Sequence, residues 1–237
     1  MSKGTLYLIP NTLGGETLAD IIPSEVAATA IGLRVFAVED LRSARRLLRK
    51  MDREFPIDET QFIELNKRTG EEGIQKLLWI LRNGTSVGVI SEAGCPGIAD
   101  PGANLVSAAH EEEINVVPFV GPSSILLALI ASGFSGQQFS FHGYLPKDRK
   151  DRVKKLKDFE GDSRRNGSTH IFMDTPFRNM NVLEDLLNDL GDTTQICIAS
   201  NLTLPDASIK TMSVKEWREQ AYDLSKKPTM FLIGKRQ

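Results

Sequence analysis

Cysteine is nearly missing from this chain of 237 residues: Cys95 and Cys197 stand far apart and no CxxC pair occurs. That excludes a disulfide framework and argues against a structural zinc site. Histidine is equally sparse, at three residues. Long apolar runs are absent too. The longest, ILLALIA at 125–131, falls well short of the roughly 20 residues that span a bilayer, so no membrane segment is expected. The opening MSKGTLYLIP has one lysine and a strand-like run instead of a signal-peptide core and cleavage site, which predicts a cytoplasmic location. Neither charge sign dominates, with 29 basic against 31 acidic residues and a net charge of -2. Nucleic acid therefore has no general attraction for the chain, and any RNA contact needs a local basic patch. Finally, neither GxGxxG nor GxxxxGK[ST] occurs, which removes the standard dinucleotide cleft and the P-loop.

What is present is a regular alternation of short β-like runs and amphipathic helical ones, the pattern of an α/β protein. The length suits two domains, each large enough for its own core. The spacing predicts an N-terminal α/β domain over 1–120, with strands at 5–10, 33–39, 60–65, 86–91 and 114–120 forming one five-stranded, mostly parallel sheet. Asp40 caps a helix over LRSARRLLRK, another helix runs from 70 to 81 until Gly84 stops it, and Asp100-Pro101 opens a third. The second domain, 121–237, is predicted to hold strands at 138–145, 169–174, 194–200, 208–214 and 229–235, with helices at 123–132, 147–160 and 177–190. TLPDASIKTMSV leaves no room for a helix between two strands, so these pair antiparallel and the second five-stranded sheet is mixed. GDSRRNG at 161–167 reads as a polar, mobile loop.

Open α/β sheets bind ligands beyond the carboxyl ends of their strands. In the first domain those ends read Pro10-NTLGG, Glu39-Asp40, Ser91-EAGCPGIADPG and Gly121-PSS. Three of the four are rich in glycine and proline and low in bulk. Turn chemistry alone explains any single one. Their concurrence at one sheet edge points to a ligand that the backbone approaches closely.

Gly4-TLYLIP, Ala37-VED, Ser91-EAGCPGIADPG, Val120-GPSS and Phe141-HGYLP follow one another in the order and spacing of the tetrapyrrole methylase superfamily. The chain resembles its small-subunit ribosomal RNA (cytidine-2′-O) methyltransferase branch over nearly its whole length. The resemblance implies two α/β domains, a homodimer, and S-adenosylmethionine held between the domains without a metal. It further implies cofactor contacts from Pro10, Ala93, Gly94, Cys95, Ile98, Ser123, Ser124, Asp174 and Leu202. The substrate side departs from that branch. A His-Glu-His-Asn-Glu type run is replaced by Ile63-Glu64-Leu65-Asn66-Lys67, and Ala-Glu-Asp-Thr-Arg by Val38-Glu39-Asp40-Leu41-Arg42. Likewise Asp174-Thr-Pro-Phe177-Arg178 stands for Glu-Ser-(Pro/Thr)-His-Arg, and Ser200-Asn-Leu-Thr-Leu204 for Arg-Glu-Leu-Thr-Lys. Glu39, Asp40, Arg42, Glu64, Asn66 and Arg178 are the expected substrate-binding positions.

A ribose hydroxyl is a poor nucleophile until its proton is removed, so a base is wanted, and Glu39, Asp40, Glu64 and Asp174 all qualify. Asp40 also reads as a helix cap and Glu39 as an ion-pair partner of Arg42 or Arg178. His142 reads as a structural histidine, His110 as a surface residue and His170 as the start of an edge-like strand. Two basic clusters are available for phosphate: Lys147–Lys157, diluted by acids, and Arg42, Arg45, Arg46, Arg49 and Lys50. The function expected is methyl transfer to ribose in small-subunit ribosomal RNA. Methylation of a tetrapyrrole or other small molecule is one alternative, and a catalytically inactive, cofactor-binding RNA or ribosome-interaction protein is the other.

Overall fold

The computed structural model describes residues 2–15, 17–65, 71–99 and 102–236, which form two compact units, Met1–Ser123 and Ser124–Gln237. In the first unit, β-branched and aromatic runs form β1 (Thr5–Ile9), β2 (Val35–Val38), β3 (Gln61–Glu64), β4 (Val87–Ile90) and β5 (Asn115–Pro118). Every pairing is parallel, in the order β3-β2-β4-β1-β5. Between the strands run α1 (Ser24–Gly32), α2 (Leu41–Met51), α3 (Glu71–Arg82) and α4 (Ala103–Glu111).

Alternation along the strands builds two cores. Val35 and Ala37 of β2 join Val87 and Val89 of β4 beneath Leu77, Leu78 and Leu81 of α3 and Leu105 and Ala109 of α4. Phe36, Val38, Ile9 and Ile90 face the other way, against Val26 and Ala30 of α1 and Ala44, Leu47 and Leu48 of α2. The connection from β1 to β2 moves along the sheet in one direction and that from β4 to β5 in the other. Their neighbouring carboxyl ends therefore define the switch point at which such sheets bind ligands.

The second unit contains α5 (Ser124–Ser132), β6 (Phe139–Tyr144), α6 (Arg149–Asn166), β7 (Thr169–Met173), α7 (Asn179–Asp189), β8 (Gln195–Ser200), β9 (Ser208–Ser213), α8 (Val214–Arg218) and β10 (Thr229–Gly234). Its sheet, β6-β7-β10-β8-β9, is mixed: β6 and β7 are parallel and the remaining pairs antiparallel, including β8 with β9. Leu156 and Phe159 of α6, Val182 and Leu186 of α7 and Trp217 of α8 close one face over Phe172, Ile196 and Phe231.

Three sequence expectations are revised. The stretch 161–167 is no loop, because α6 continues to Asn166. There Gly167, at φ 73, ends it with its N–H on the Ser163 carbonyl. His170 lies in an interior strand, since β10 pairs beside β7, and it is buried. Val214 leaves the strand and opens α8, which is secured by a capping box between Ser213 and Glu216. The expected Asp100-Pro101 helix start lies outside the described residues, and α4 is preceded by Gly102.

Candidate functional site

Four loops meet at the carboxyl edge of the first sheet, and Asn11 joins two of them to the first turn of α2. This side chain is 5% exposed. Its Nδ2 donates to the Ser91 carbonyl at 3.1 Å, to the Glu92 carbonyl at 2.8 Å and to Ser43 Oγ at 3.3 Å. Its backbone exchanges two hydrogen bonds with Gly94, at 2.8 and 3.2 Å, as an isolated antiparallel bridge. The loop after β1 is thereby fastened to the loop after β4 at the switch point. On one side, Ser43 Oγ donates to the Glu92 carbonyl at 3.3 Å and the Glu92 N–H donates to Glu39 Oε2 at 3.1 Å. On the other, Cys95 Sγ donates to the Pro122 carbonyl at 3.4 Å.

Glycine is required where these loops cross. At Gly94, φ is 69, and a Cβ there would stand 3.2 Å from Leu13 Cδ2 and 3.4 Å from the Pro122 carbonyl. At Gly121 a Cβ would fall 2.1 Å from Pro10 Cβ and 2.3 Å from Cγ. Pro10 is itself buried, whereas Ala93 and Ile98 are exposed, and burial raises the pKa of the half-buried Cys95 thiol. The edge is thus lined by main chain and small side chains. Backbone polar groups and apolar Ile98 suit an amino-acid moiety and an adenosine, so the residues present fit S-adenosylmethionine.

Of the expected substrate positions, Asp40 has its Oδ1 committed to the Ser43 N–H at 2.6 Å, as the cap of α2. Arg42 is exposed in the first turn of that helix, and Glu64 is exposed at the end of β3. Asn66 lies outside the described residues. Within the first unit Pro10, Gly94 and Cys95 are brought together with Glu39, and Ser123 follows the Gly121-Pro122 turn.

In the second unit Ser124 begins α5. Asp174 lies just beyond β7 with its side chain fully buried. Its Oδ2 meets Arg178 Nη2 at 2.7 Å, and its Oδ1 accepts the Thr175 N–H at 2.7 Å. The same Arg178 Nη2 donates to the Leu145 and Pro146 carbonyls, both at 3.1 Å. Arg178 therefore ties the β6 and β7 ends together. Leu202, 8% exposed, sits between Asn201 at φ 51 and Thr203 at φ 70. A left-handed β-branched residue is a costly conformation that tends to gather at functional edges.

The lacing through Asn11 and the tie made by Arg178 are contacts that the sequence did not disclose. The only sequence signal for Asn11 is a polar residue directly after the proline that ends β1. Among the described residues no group of three or more His, Cys, Asp or Glu side chains is placed to hold a metal, and no helix is long and apolar enough to cross a membrane.

Comparison with known proteins gives a consistent result. Residues 19–217 match the family model described as Tetrapyrrole (Corrin/Porphyrin) Methylases. A relative from Vibrio cholerae, named Ribosomal RNA small subunit methyltransferase I, is 34% identical over 211 residues, covering 89% of this chain and 69% of its own. One of the same name from Micromonospora olivasterospora is 34% identical over 208 residues, covering 86% and 61%. The chain thus spans about two thirds of the length of these relatives. Among solved structures, the uroporphyrin-III C-methyltransferase of Thermus thermophilus complexed with S-adenosylhomocysteine superposes with a TM-score of 0.56 at 16% identity, covering 98% of both chains.

Proposed function

The chain belongs to the tetrapyrrole (corrin/porphyrin) methylase family, and from that premise we propose that it transfers a methyl group from S-adenosylmethionine to a ribose 2′-hydroxyl of small-subunit ribosomal RNA. The reading of the acceptor is supported chiefly by the 34% identity to proteins named for that RNA, which extends over most of the chain. We place the protein in the cytoplasm as a homodimer, in keeping with such a substrate and with the family resemblance.

When bound, the donor supplies a methyl group activated on a sulfonium. The residues do the rest by holding and aligning, which accounts for much of the rate in a displacement between two positioned partners. Pro10, Ala93, Gly94, Cys95, Ile98 and Ser123 are assigned to the donor from the first unit. Ser124, Asp174 and Leu202 are assigned to it from the second. The Asn11 lacing keeps the cradle in one conformation, so little ordering remains when a ligand arrives.

Removal of the hydroxyl proton is assigned to Glu39. Asp40 and Asp174 are committed to a helix cap and an ion pair, and Glu64 ends the edge strand β3, which β2 separates from β4. Glu39 accepts the Glu92 N–H on Oε2, which holds its carboxylate against the loop after β4 that carries Ala93, Gly94 and Cys95.

The test combines methyl-labelled S-adenosylmethionine with purified small ribosomal subunits, their naked RNA, or tetrapyrrole precursors. Label in RNA supports the reading. Label in a tetrapyrrole overturns the acceptor, and S-adenosylhomocysteine binding with no transfer to any of the three makes the protein a cofactor-binding module.

A further inference from the structure

Of the two basic clusters in the sequence, Lys147–Lys157 is interleaved with acids and has Arg149, Arg152 and Lys157 in ion pairs. On α6, Arg149 and Arg152 pair with Asp185, Arg149 and Lys157 with Asp189, Arg164 with Glu160, and Arg165 with Asp162. The other cluster, on α2, stays uncompensated. Arg42, Arg45, Arg46, Arg49 and Lys50 are all exposed. Their spacing of i, i+3, i+4, i+7 and i+8 puts them on one helix face. None of the five is in an ion pair among the described residues.

We infer that this face of α2 is the docking surface for the sugar-phosphate backbone of the acceptor RNA, running outward from the donor cradle for about 12 Å. The inference rests on the methyltransferase reading above and adds where the RNA lies. Three observations carry it.

Position comes first. Arg42 adjoins Ser43, which is hydrogen-bonded to both Asn11 and the Glu92 carbonyl, so the stripe begins at the cradle wall. Charge comes second. Five like charges on a single face repel one another, and a chain with a net charge of -2 has carboxylates enough to offset them. Here they are left for an external anion. Order is third. The Arg45 guanidinium lies over the Phe62 ring at 5.5 Å, Lys50 Nζ donates to the Gly15 carbonyl at 2.9 Å, and Arg49 donates to the Arg53 carbonyl. These contacts hold the side chains while leaving the charges exposed.

An anionic membrane would also attract such a helix, but membrane docking uses an apolar face. On α2 that face, Ala44, Leu47 and Leu48, is buried in the core. A polyanion reached from the charged side alone fits the geometry.

The experiment compares the whole protein with R45Q/R46Q/R49Q and with a control of equal charge change at exposed sites elsewhere, K76Q/K215Q/K226Q. Binding to naked small-subunit RNA is measured across a salt series, and S-adenosylhomocysteine binding and a thermal melt establish that each variant is folded. The stripe variant is expected to bind RNA at least about tenfold more weakly, with a log-log salt slope smaller by about 2–3. Its S-adenosylhomocysteine affinity should be unchanged and the control should remain close to wild type. Equal loss in both variants, wild-type RNA affinity in the stripe variant, or binding of the intact protein to anionic lipid vesicles but not to RNA each overturns the inference. If instead the stripe binds RNA as expected and no methyl is transferred to it, the inference stands and the proposed reaction fails.

Discussion

Gly121→Ala isolates the close approach on which the cradle depends. The added methyl carbon would lie 2.1 Å from Pro10 Cβ and 2.3 Å from Pro10 Cγ, whereas carbons in contact settle at about 3.5–4 Å. More than an ångström of separation has to be found. The proline ring has no rotamer that yields it, so the loops after β1 and β5 must part. Overpacking of this kind costs about 1–3 kcal/mol, and a rigid partner places the cost near the top of that range. At about 2–4 °C per kcal/mol for a protein of this size, the melting temperature should fall by about 6–12 °C. Because the displaced loops border the Asn11–Gly94 bridge, S-adenosylhomocysteine affinity measured by calorimetry should fall with it. Gly136→Ala is the matched control: nothing lies within 4 Å of its added carbon, and it should be neutral or stabilising by up to about 1 kcal/mol. A Gly121→Ala protein that melts within about 1 °C of wild type and binds S-adenosylhomocysteine equally well would show that the cradle does not depend on this close approach.

Glu39→Gln keeps an acceptor for the Glu92 N–H but no base, so donor binding should persist while turnover drops by about 10²–10⁴; unchanged turnover removes Glu39 from the reaction. Asp185→Ala strands the buried Arg152, whose Nε lies 2.6 Å from Asp185 Oδ2, and should cost about 3–5 kcal/mol in denaturant unfolding. Replacing the pair together by Met and Leu should cost less, and equal losses would deny the ion pair its role. His142 Nε2 meets His170 Nδ1 at 2.9 Å, and His170 Nε2 meets Ser168 Oγ at 3.0 Å. Burial foremost, then the proximity of His170, lowers the His142 pKa from 6.5 to about 4. The unfolded chain therefore binds more protons below 6.5, and stability should decline as the pH falls from 6.5 towards 4. His142→Gln should flatten that part of the urea-midpoint profile, and an unaltered slope would contradict it.

The ten strands were legible because their runs of Val, Ile, Leu and Phe are short and bounded by turn residues. Strand order was not. Nothing local to 229–234 tells that β10 pairs between β7 and β8, which is why His170 read as an edge residue. The end of α6 was misjudged for a different reason: Gly161, Asp162 and Ser163 all disfavour a helix interior. Buried Ser163 and the left-handed Gly167 nonetheless let the helix run to the following glycine. At the candidate site the glycine-rich loops announced a backbone-lined edge. The lacing through Asn11 depends on residues 80 positions away in sequence, and no periodicity reports such a contact. Arg178 reads as a substrate contact by its place in a motif, and its hold on the Leu145 and Pro146 carbonyls, more than 30 positions away, has no local signal.

The chemistry of the product decides whether ribose is the acceptor. Small-subunit RNA methylated by the purified protein with labelled donor should be hydrolysed in alkali and the fragments identified by mass. A ribose 2′-O-methyl group blocks cleavage at its own phosphodiester, so the label is expected in a single alkali-resistant dinucleotide. Label released entirely in mononucleotides would place the methyl group on a base and contradict it.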